Sequence, residues 1–460
     1  MSPLKKLVPP AVLGLLLSEV TLIIACYGLI LIASLEADPW IFAWHDLGFL
    51  RVGIVAAVIV GGLYMQDLYE DLRAANRALL VQQICLALGL AFLLQALLNY
   101  LDSPLVVPRV PMFFGSALVL LSLAAWRVIY SRLVQSAVHA ERVMFLGCSR
   151  IARRIEERFG ERPELGLVSI GCIAETVTSP SGCTRVLGAL PQFAEIVERY
   201  APDRVVVALD ERRNRMPGEA LLELQFRGVP VEDAAVTYER VFDRVCVERL
   251  RPAQLIFSSE FGPRGSTLLL QSAYSVTIAA MTAVVALPLA ILVALLVKLN
   301  SRGPVLYRQR RTGFRGREFT LYKFRSMYVD AERDRGPVWA RKDDPRVTSV
   351  GRWLRKFRID EIPQLWNVVK GDMVIVGPRP ERPEFVSELI AEVPFYRQRL
   401  VVKPGITGWA QINHHYGDSV EDTLTKLEFD LFYIKNWTPA LDLYIMFHTA
   451  KVILLGRGAQ

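Results

Sequence analysis

The sequence predicts a membrane α-helical block followed by two α/β domains. Three observations predict it. Apolar residues make up 52% of the 460 positions and the mean hydropathy is +0.30, high for a soluble chain. Four apolar runs, each close to the roughly 20 residues that cross a bilayer, fill the first third of the chain. Behind them, strand-like and helix-like segments alternate, the pattern of a parallel sheet with helices on its faces.

The four runs are Pro10–Leu35, Leu47–Tyr64, Ala78–Leu98 and Pro111–Tyr130, giving a four-transmembrane-helix block over 1–134. Four in succession argue against buried helices of a soluble core. The first is too long, and too closely followed by others, for a cleaved signal peptide. Glu19 and Arg51 sit within or near these runs, where charged groups snorkel or pair between helices; a transport role is the rival reading. Lys5 and Lys6 precede the first run, Arg73 and Arg77 separate the second from the third, and Arg127, Arg132 and Arg142 flank the end of the fourth. The alternate loops carry little positive charge apart from Arg51 and Arg109. The positive-inside rule places both ends of the block in the cytoplasm. The net charge of +8 fits anionic headgroups or phosphorylated substrates. It does not point to nucleic acid, because the charge lies beside apolar spans and no nucleic-acid motif accompanies it.

Residues 140–262 read as a Rossmann-like nucleotide-fold domain. Arg142–Arg154 has the pattern of strand, turn and helix. Leu167–Ile173 and Asp203–Leu209 follow as strands, Leu190–Tyr200 and Glu219–Arg227 as helices. The turn keeps Gly147 but has Ser149 and Ala152 at the other fingerprint positions. Without the middle glycine, close approach to a pyrophosphate is harder, so the expectation is a nucleotide fold without a bound dinucleotide. The six cysteines (Cys26, Cys85, Cys148, Cys172, Cys183 and Cys246) form no Cys-x-x-Cys pair. Reduced thiols are expected rather than zinc or a disulfide framework.

The third domain is placed at 268–460. It opens on a fifth apolar run, Val276–Val297, interrupted by Pro288 and followed by Lys298, Arg302, Arg308, Arg310, Arg311, Arg315 and Arg317. A full crossing would export this basic flank. A re-entrant membrane hairpin over 275–298, broken at Pro288, would keep it on the cytoplasmic side. The stretch Ala440–Leu455 is apolar with Asp442, His448 and Lys451 interspersed, and is expected along the membrane surface.

The chemistry concentrates at Asp360-Glu361. Adjacent carboxylates resist joint ionisation unless cations offset them. Arg355, Lys356, Arg358 and Arg379 are near enough in sequence to do so, with or without a metal ion. Ile359, Ile362, Leu365, Trp366 and Val369 recur at helical spacing, so Asp360 is expected to open an amphipathic helix with Pro363 in its first turn. A helix N-terminus favours a bound phosphate, although an acidic residue there is also an ordinary cap. Lys323 and Arg325 flank an aromatic in a strand and are expected on one face. Asp343-Asp344 before Pro345 reads as a turn, Asp372 as a turn residue, and His414 and His415 as loop residues. Trp409 suits either a base pocket or the core.

Further motifs surround this pair: Ser301–Gly313, Phe319–Met327, Gly377-Pro-Arg-Pro-Glu-Arg-Pro383, Val402–Gln411 and Phe429–Asn436. Together they resemble the bacterial sugar transferases that load a sugar 1-phosphate onto a polyprenyl phosphate, the large monotopic phosphoglycosyl transferases of exopolysaccharide assembly. Gly336–Ala340 and Pro380–Phe385 resemble the branch associated with PEP-CTERM exopolysaccharide systems. The resemblance is strongest over Ser275–Gly456. It departs at Ser272 and Ser275, where many relatives carry a basic residue and an Asp, and at Leu287, where some have Ser.

The resemblance implies a nucleoside diphosphate sugar donor, with uridine the family's usual base, and undecaprenyl phosphate as acceptor. It implies a covalent phospho-sugar on Asp360, Mg²⁺ held by Glu361, and phosphate contacts from Lys323, Arg355 and Arg379; Arg325 joins that set as a substrate-binding candidate. It further implies a multi-pass protein of the bacterial inner membrane with its catalytic domain on the cytoplasmic face. A homo-oligomer and polysaccharide-assembly partners are compatible with it. Two other functions stay open on the residues alone: a membrane-tethered nucleotide-sugar oxidoreductase, and a noncatalytic assembly scaffold.

Overall fold

A computed structural model describes residues 10–34, 47–66, 68–69, 77–101, 104–137, 140–162, 165–175, 185–209, 216–257, 265–329, 344–414 and 419–454. Lys5, Lys6, Arg73, Cys183, Gly336–Ala340, Asp343 and His415 lie outside the described residues. The chain divides into two compact units, Met1–Glu232 and Asp233–Gln460.

The first unit begins with four helices: α1 (Pro10–Ser34), α2 (Gly48–Met65), α3 (Arg77–Tyr100) and α4 (Arg109–Ala137). All four are long and apolar enough to cross a membrane. Ile23, Tyr27, Ile59, Leu63, Ile84 and Leu123 form the centre of their shared core. Leu17, Leu29, Leu93 and Leu121 are exposed, as expected of surfaces that face lipid rather than water. The charged residue in α1 is paired: Glu19 is fully buried with Arg127 Nε at 2.6 Å. Tyr69 donates its hydroxyl to Glu19 at 2.6 Å, and Arg127 also reaches the Leu68 carbonyl at 2.8 Å. A charge in an apolar block persists only with such partners.

An α/β segment follows: β1 (Glu141–Leu146), α5 (Arg150–Glu161), β2 (Leu167–Ala174), β3 (Val186–Ala189), α6 (Phe193–Tyr200), β4 (Arg204–Val207), α7 (Gly218–Phe226) and β5 (Val231–Asp233). The strands form one sheet in the order β3-β2-β1-β4-β5, with β1 parallel to both β2 and β4. The alternation in sequence therefore does become a parallel sheet. Ser149, at the fingerprint's second position, caps α5 by accepting from the Ala152 amide. Cys148 and Cys172 form a disulfide with Cα atoms 5.9 Å apart, which corrects the expectation of free thiols at those positions. Strand pairing explains it. Cys172 lies in β2 opposite Phe145, just before the turn that carries Cys148. No sequence spacing signals that neighbourhood.

The second unit starts earlier than the expected boundary near 262–268. Residues α8 (Ala234–Phe242) through Arg249 join it because Glu428 holds them. That buried carboxylate accepts from the Tyr238 hydroxyl at 3.2 Å and the Val247 amide at 3.3 Å, and pairs with Arg244 at 3.3 Å. A helix α9 (Pro252–Phe257) precedes the long helix α10 (Gly265–Asn300). Then come the antiparallel pair β6 (Leu306–Thr312) and β7 (Glu318–Phe324), and α11 (Ser349–Lys356). A single 3-10 turn (Ile359–Glu361), α12 (Gln364–Lys370) and β8 (Val374–Val376) follow. The unit closes with α13 (Pro383–Glu392), β9 (Gly405–Thr407), α14 (Trp409–Asn413), α15 (Val420–Lys435) and α16 (Pro439–Leu454). Strands β8 and β9 are parallel and very close: a Cβ on Gly405 would lie 2.1 Å from the Gly377 nitrogen.

Pro288 lies inside α10 rather than between two helices, so the expected hairpin over 275–298 is one continuous 36-residue helix. A proline removes one donor and crowds one turn, and the helix resumes beyond it. Two stretches of α10 join separate buried clusters of the second unit. Ala279 shares a buried cluster with Leu321, Val368 and Met373, while Val293 and Val297 share another with Phe324 and Leu354. Between them Met281, Val284, Val285, Leu287 and Ile291 are exposed. The two serines of the departure are used locally. Ser272 accepts from Lys403 Nζ at 3.2 Å, and Ser275 from the Ile375 amide at 3.4 Å. Helix α16 is not a surface helix on its charged face: Asp442 and Lys451 are buried, while Leu443 and Phe447 are exposed.

Candidate active site

Asp360 does not open an α-helix. It sits in the 3-10 turn, with Arg358 before it at φ 54° and Pro363 as the residue preceding α12. The buried side of α12 is Gln364, Asn367 and Val368; Trp366, expected on the apolar face, is 61% exposed. The tight turn shifts the helical phase, which sequence spacing across the turn does not register.

The turn buries both carboxylates, Asp360 at 7% exposure and Glu361 at 8%. Their surroundings differ. Glu361 Oε1 receives Lys323 Nζ and Arg379 Nη2, each at 2.9 Å, and Arg358 Nη1 lies 3.8 Å from Oε2. Burial opposes its ionisation, but Arg379, Lys323 and Arg358 outweigh that and hold it well below the usual carboxylate range. Among the described residues, no hydrogen bond or ion pair engages Asp360. Burial holds its carboxyl above the usual Asp range; Lys323, Arg355 and Arg379 pull the other way, and Glu361 adds to the rise. The arrangement is one carboxylate held by cations and one without a direct partner among the described residues.

Two of the cations, Arg355 and Arg379, are held by a further contact. Lys323 comes from β7. Arg355, at the end of α11, donates Nε to Ser326 Oγ at 3.0 Å. Helix α11 can approach because residue 351 is glycine; a Cβ there would lie 1.9 Å from the Ser326 carbonyl. Arg379 follows β8, and its carbonyl accepts from Arg399 Nη2 at 2.9 Å; Arg399 in turn pairs with buried Asp430 at 2.8 Å. Arg311 donates to the next carbonyl, Pro380, at 2.9 Å. Sequence reading missed Arg399 and Asp430, which reach the site through backbone and one another, and Ser326, whose hydroxyl meets Arg355 only after folding.

Arg325 does not join the cluster. It is buried against the end of α10, where Nη2 donates to the carbonyls of Val297 at 3.2 Å and Ser301 at 2.7 Å. A helix C-terminus presents unpaired carbonyls, and a guanidinium satisfies them. Asp344 is a turn residue paired with Arg346 at 2.6 Å, and Asp372 pairs with Lys370 at 3.0 Å. Trp409 is core: it stacks on Phe432 and donates to the Asp243 carbonyl at 2.9 Å. His414 packs on Phe429 and faces Asp422.

Among the described residues, no three His, Cys, Asp or Glu side chains gather as a metal site. The donor chemistry still fits Mg²⁺. That ion takes hard oxygen ligands and needs only one or two carboxylates when phosphates and water supply the rest.

A buried acidic pair among cations that converge on one point suits phosphate chemistry, and the comparisons agree. A family model described as bacterial sugar transferase matches residues 266–456. The UDP-glucose:undecaprenyl-phosphate glucose-1-phosphate transferase of Escherichia coli K12 is 30% identical over 442 residues, 94% of this chain and 93% of that protein. The chain belongs to the bacterial sugar transferase family. Two further family members align over shorter stretches. The UDP-N-acetylgalactosamine-undecaprenyl-phosphate N-acetylgalactosaminephosphotransferase of Aeromonas hydrophila is 49% identical over 173 residues, 38% of this chain and 41% of that protein. The undecaprenyl-phosphate glucose phosphotransferase of Komagataeibacter xylinus is 42% identical over 218 residues, 46% of this chain and 41% of that protein. The chain thus spans less than half the length of these two.

Proposed function

We propose that the protein transfers a sugar 1-phosphate from a nucleoside diphosphate sugar, with uridine as the base, to undecaprenyl phosphate. The free Asp360 carboxylate beside the clamped Glu361 carries this reading. An Asp360 oxygen attacks the β-phosphorus. A new P–O bond forms, the bond to the bridging oxygen breaks, and nucleoside monophosphate leaves. A phosphate oxygen of the lipid then attacks the same phosphorus, and the Asp360 carboxylate is regenerated. Lys323, Arg355 and Arg379 stabilise the charge on the transferring group, the main task of a protein in phosphoryl transfer. Mg²⁺, when bound by Glu361 with Asp360 nearby, supplies further charge neutralisation of the diphosphate. Glu361 carries three cations already, so its oxygens would be shared.

The setting proposed is the bacterial inner membrane, with the second unit on the cytoplasmic face and the product entering exopolysaccharide assembly. The basic run from Lys298 to Arg317, at and beyond the end of α10, supports that side.

The test uses the purified full-length protein, a panel of nucleotide sugars and undecaprenyl phosphate. Nucleoside monophosphate release and a phospho-sugar adduct on Asp360, found by mass spectrometry under single turnover, are expected. Wild-type turnover by Asp360→Asn, or kinetics that require both substrates bound at once with no adduct, would sink the reading.

A further inference from the structure

Asn367 is fully buried in a helix whose neighbours Leu365, Val368 and Val369 are apolar core. A buried amide is costly unless both of its ends are paired. Here both are, and both to one strand. Nδ2 donates to the Thr320 carbonyl at 2.7 Å, and Oδ1 accepts from the Tyr322 amide at 3.1 Å. Thr320 and Tyr322 lie two apart on β7, so their backbone groups point off the same edge, away from β6. The side chain therefore pairs with β7 as a one-residue strand would.

The residue after Tyr322 is Lys323, whose ammonium lies 2.9 Å from Glu361. Glu361 and Asn367 belong to one continuous run of turn and helix, linked by the Ile362–Ile359, Leu365–Ile362 and Trp366–Pro363 backbone bonds. The Asn367 carbonyl also accepts the Asp372 and Met373 amides at 3.0 and 3.3 Å, at the entry to β8 and the Arg379 loop. One residue thus joins the segment bearing the carboxylates to the strand bearing Lys323, and ties the chain leading to Arg379 to the same point. A leucine at 367 would fill the volume but leave the Thr320 and Tyr322 groups unpaired, and nothing would fix the strand's register against the turn.

We propose that Asn367 is a positioning residue for the transfer reaction. It acts through Lys323, setting where that ammonium stands relative to Glu361 and to phosphate bound beside Asp360. This rests on the function proposed above and assigns a role within it. The side-chain amide is not a ligand; it is the spacer between two elements that must meet at a fixed distance. Misplacement of a catalytic group by about 1 Å costs on the order of 100-fold in rate.

The test is a double-mutant cycle in the full-length protein, assayed by nucleoside monophosphate release with undecaprenyl phosphate as acceptor. Asn367→Ala and Lys323→Ala are measured singly and together. Asn367→Gln, which keeps the amide but adds one methylene, serves as the variant that retains hydrogen-bonding capacity. Thermal unfolding sets the folded fraction to which each rate is normalised. Asn367→Gln is expected to lower kcat by roughly 10- to 100-fold. In the Lys323→Ala background, Asn367→Ala is expected to add less than about twofold, because the group it positions is gone. Multiplying losses in the double variant, or wild-type kcat in Asn367→Gln, would overturn the proposal. Wild-type turnover in the same assay answers for the reaction itself, and the ratios between variants answer for Asn367.

Discussion

The protein buries a carboxylate beside an arginine in two regions, and the two are built differently. In the helical block, Glu19 meets Arg127 and Tyr69, and Arg127 spends another donor on the Leu68 carbonyl. One negative charge faces one positive charge, and each is held by added hydrogen bonds. In the second unit, the turn at Ile359–Glu361 places two carboxylates among Lys323, Arg355, Arg358 and Arg379. Glu361 takes the close contacts, and among the described residues Asp360 has none. The first arrangement is what stability requires of a buried charge. The second gathers four cations about two carboxylates and, among the described residues, gives Asp360 no direct partner. Burial and charge alone do not distinguish the two clusters; the distribution of partners does.

Substituting Asp360→Asn should remove the proposed nucleophile. Transfer should fall by at least about 1,000-fold while membrane insertion and thermal unfolding stay near wild type. Arg127→Ala makes the opposite cut. It leaves Glu19 buried without its cation, so the helical block should lose about 3–5 kcal/mol, read by unfolding in detergent. Activity per folded molecule should stay within a fewfold of wild type. If Arg127→Ala instead abolished transfer at full stability, the contrast between the two clusters would fail.

Two arginines of the second unit sharpen the same point on a smaller scale. Arg379→Ala should lower kcat/KM by roughly 100-fold, as loss of one charge-stabilising donor does. Arg325→Ala should lower the unfolding temperature and leave kcat/KM of the folded protein near wild type, since its donors serve the end of α10. Equal kinetic losses would return Arg325 to the site.

The smallest effect is expected at Asp344. Its hydrogen bonds from Arg346 hold its carboxyl below the usual Asp range. A folded-state value below the unfolded one means stability is complete above the ordinary Asp pKa of about 4 and is lost as pH falls through the lowered value. The difference in unfolding temperature between wild type and Asp344→Asn should therefore shrink as pH falls below about 4, and a constant difference would remove the ion pair from the account.

Much of the fold could be read from local pattern. Length and hydropathy announced the four N-terminal helices, because an apolar run of that size has few other places to go. Alternating segments announced the parallel sheet. Ser149 was visible as a departure from the fingerprint, and its cap on α5 gives that serine a local use. The second unit begins at Asp233, ahead of the expected boundary near 262, and Glu428, far along the chain, holds Tyr238, Arg244 and Val247 within it. The hairpin at Pro288 was expected as a break, whereas the surrounding apolar helix runs through the proline.

By itself the sequence determined which residue types could do the chemistry: an acidic pair, four nearby cations and a Gly-Pro-Arg-Pro loop, all legible as short motifs. Only the tertiary structure decided how they are shared. Lys323 stands 38 positions from Glu361 and Arg379 stands 18, and no local rule says that both reach the same oxygen. Nor could spacing show that Arg325 turns to a helix end, or that Asn367 spends its amide on a strand edge. Helical and strand patterns follow from neighbours along the chain. Electrostatic partnership falls with distance through space, and that distance exists only after folding.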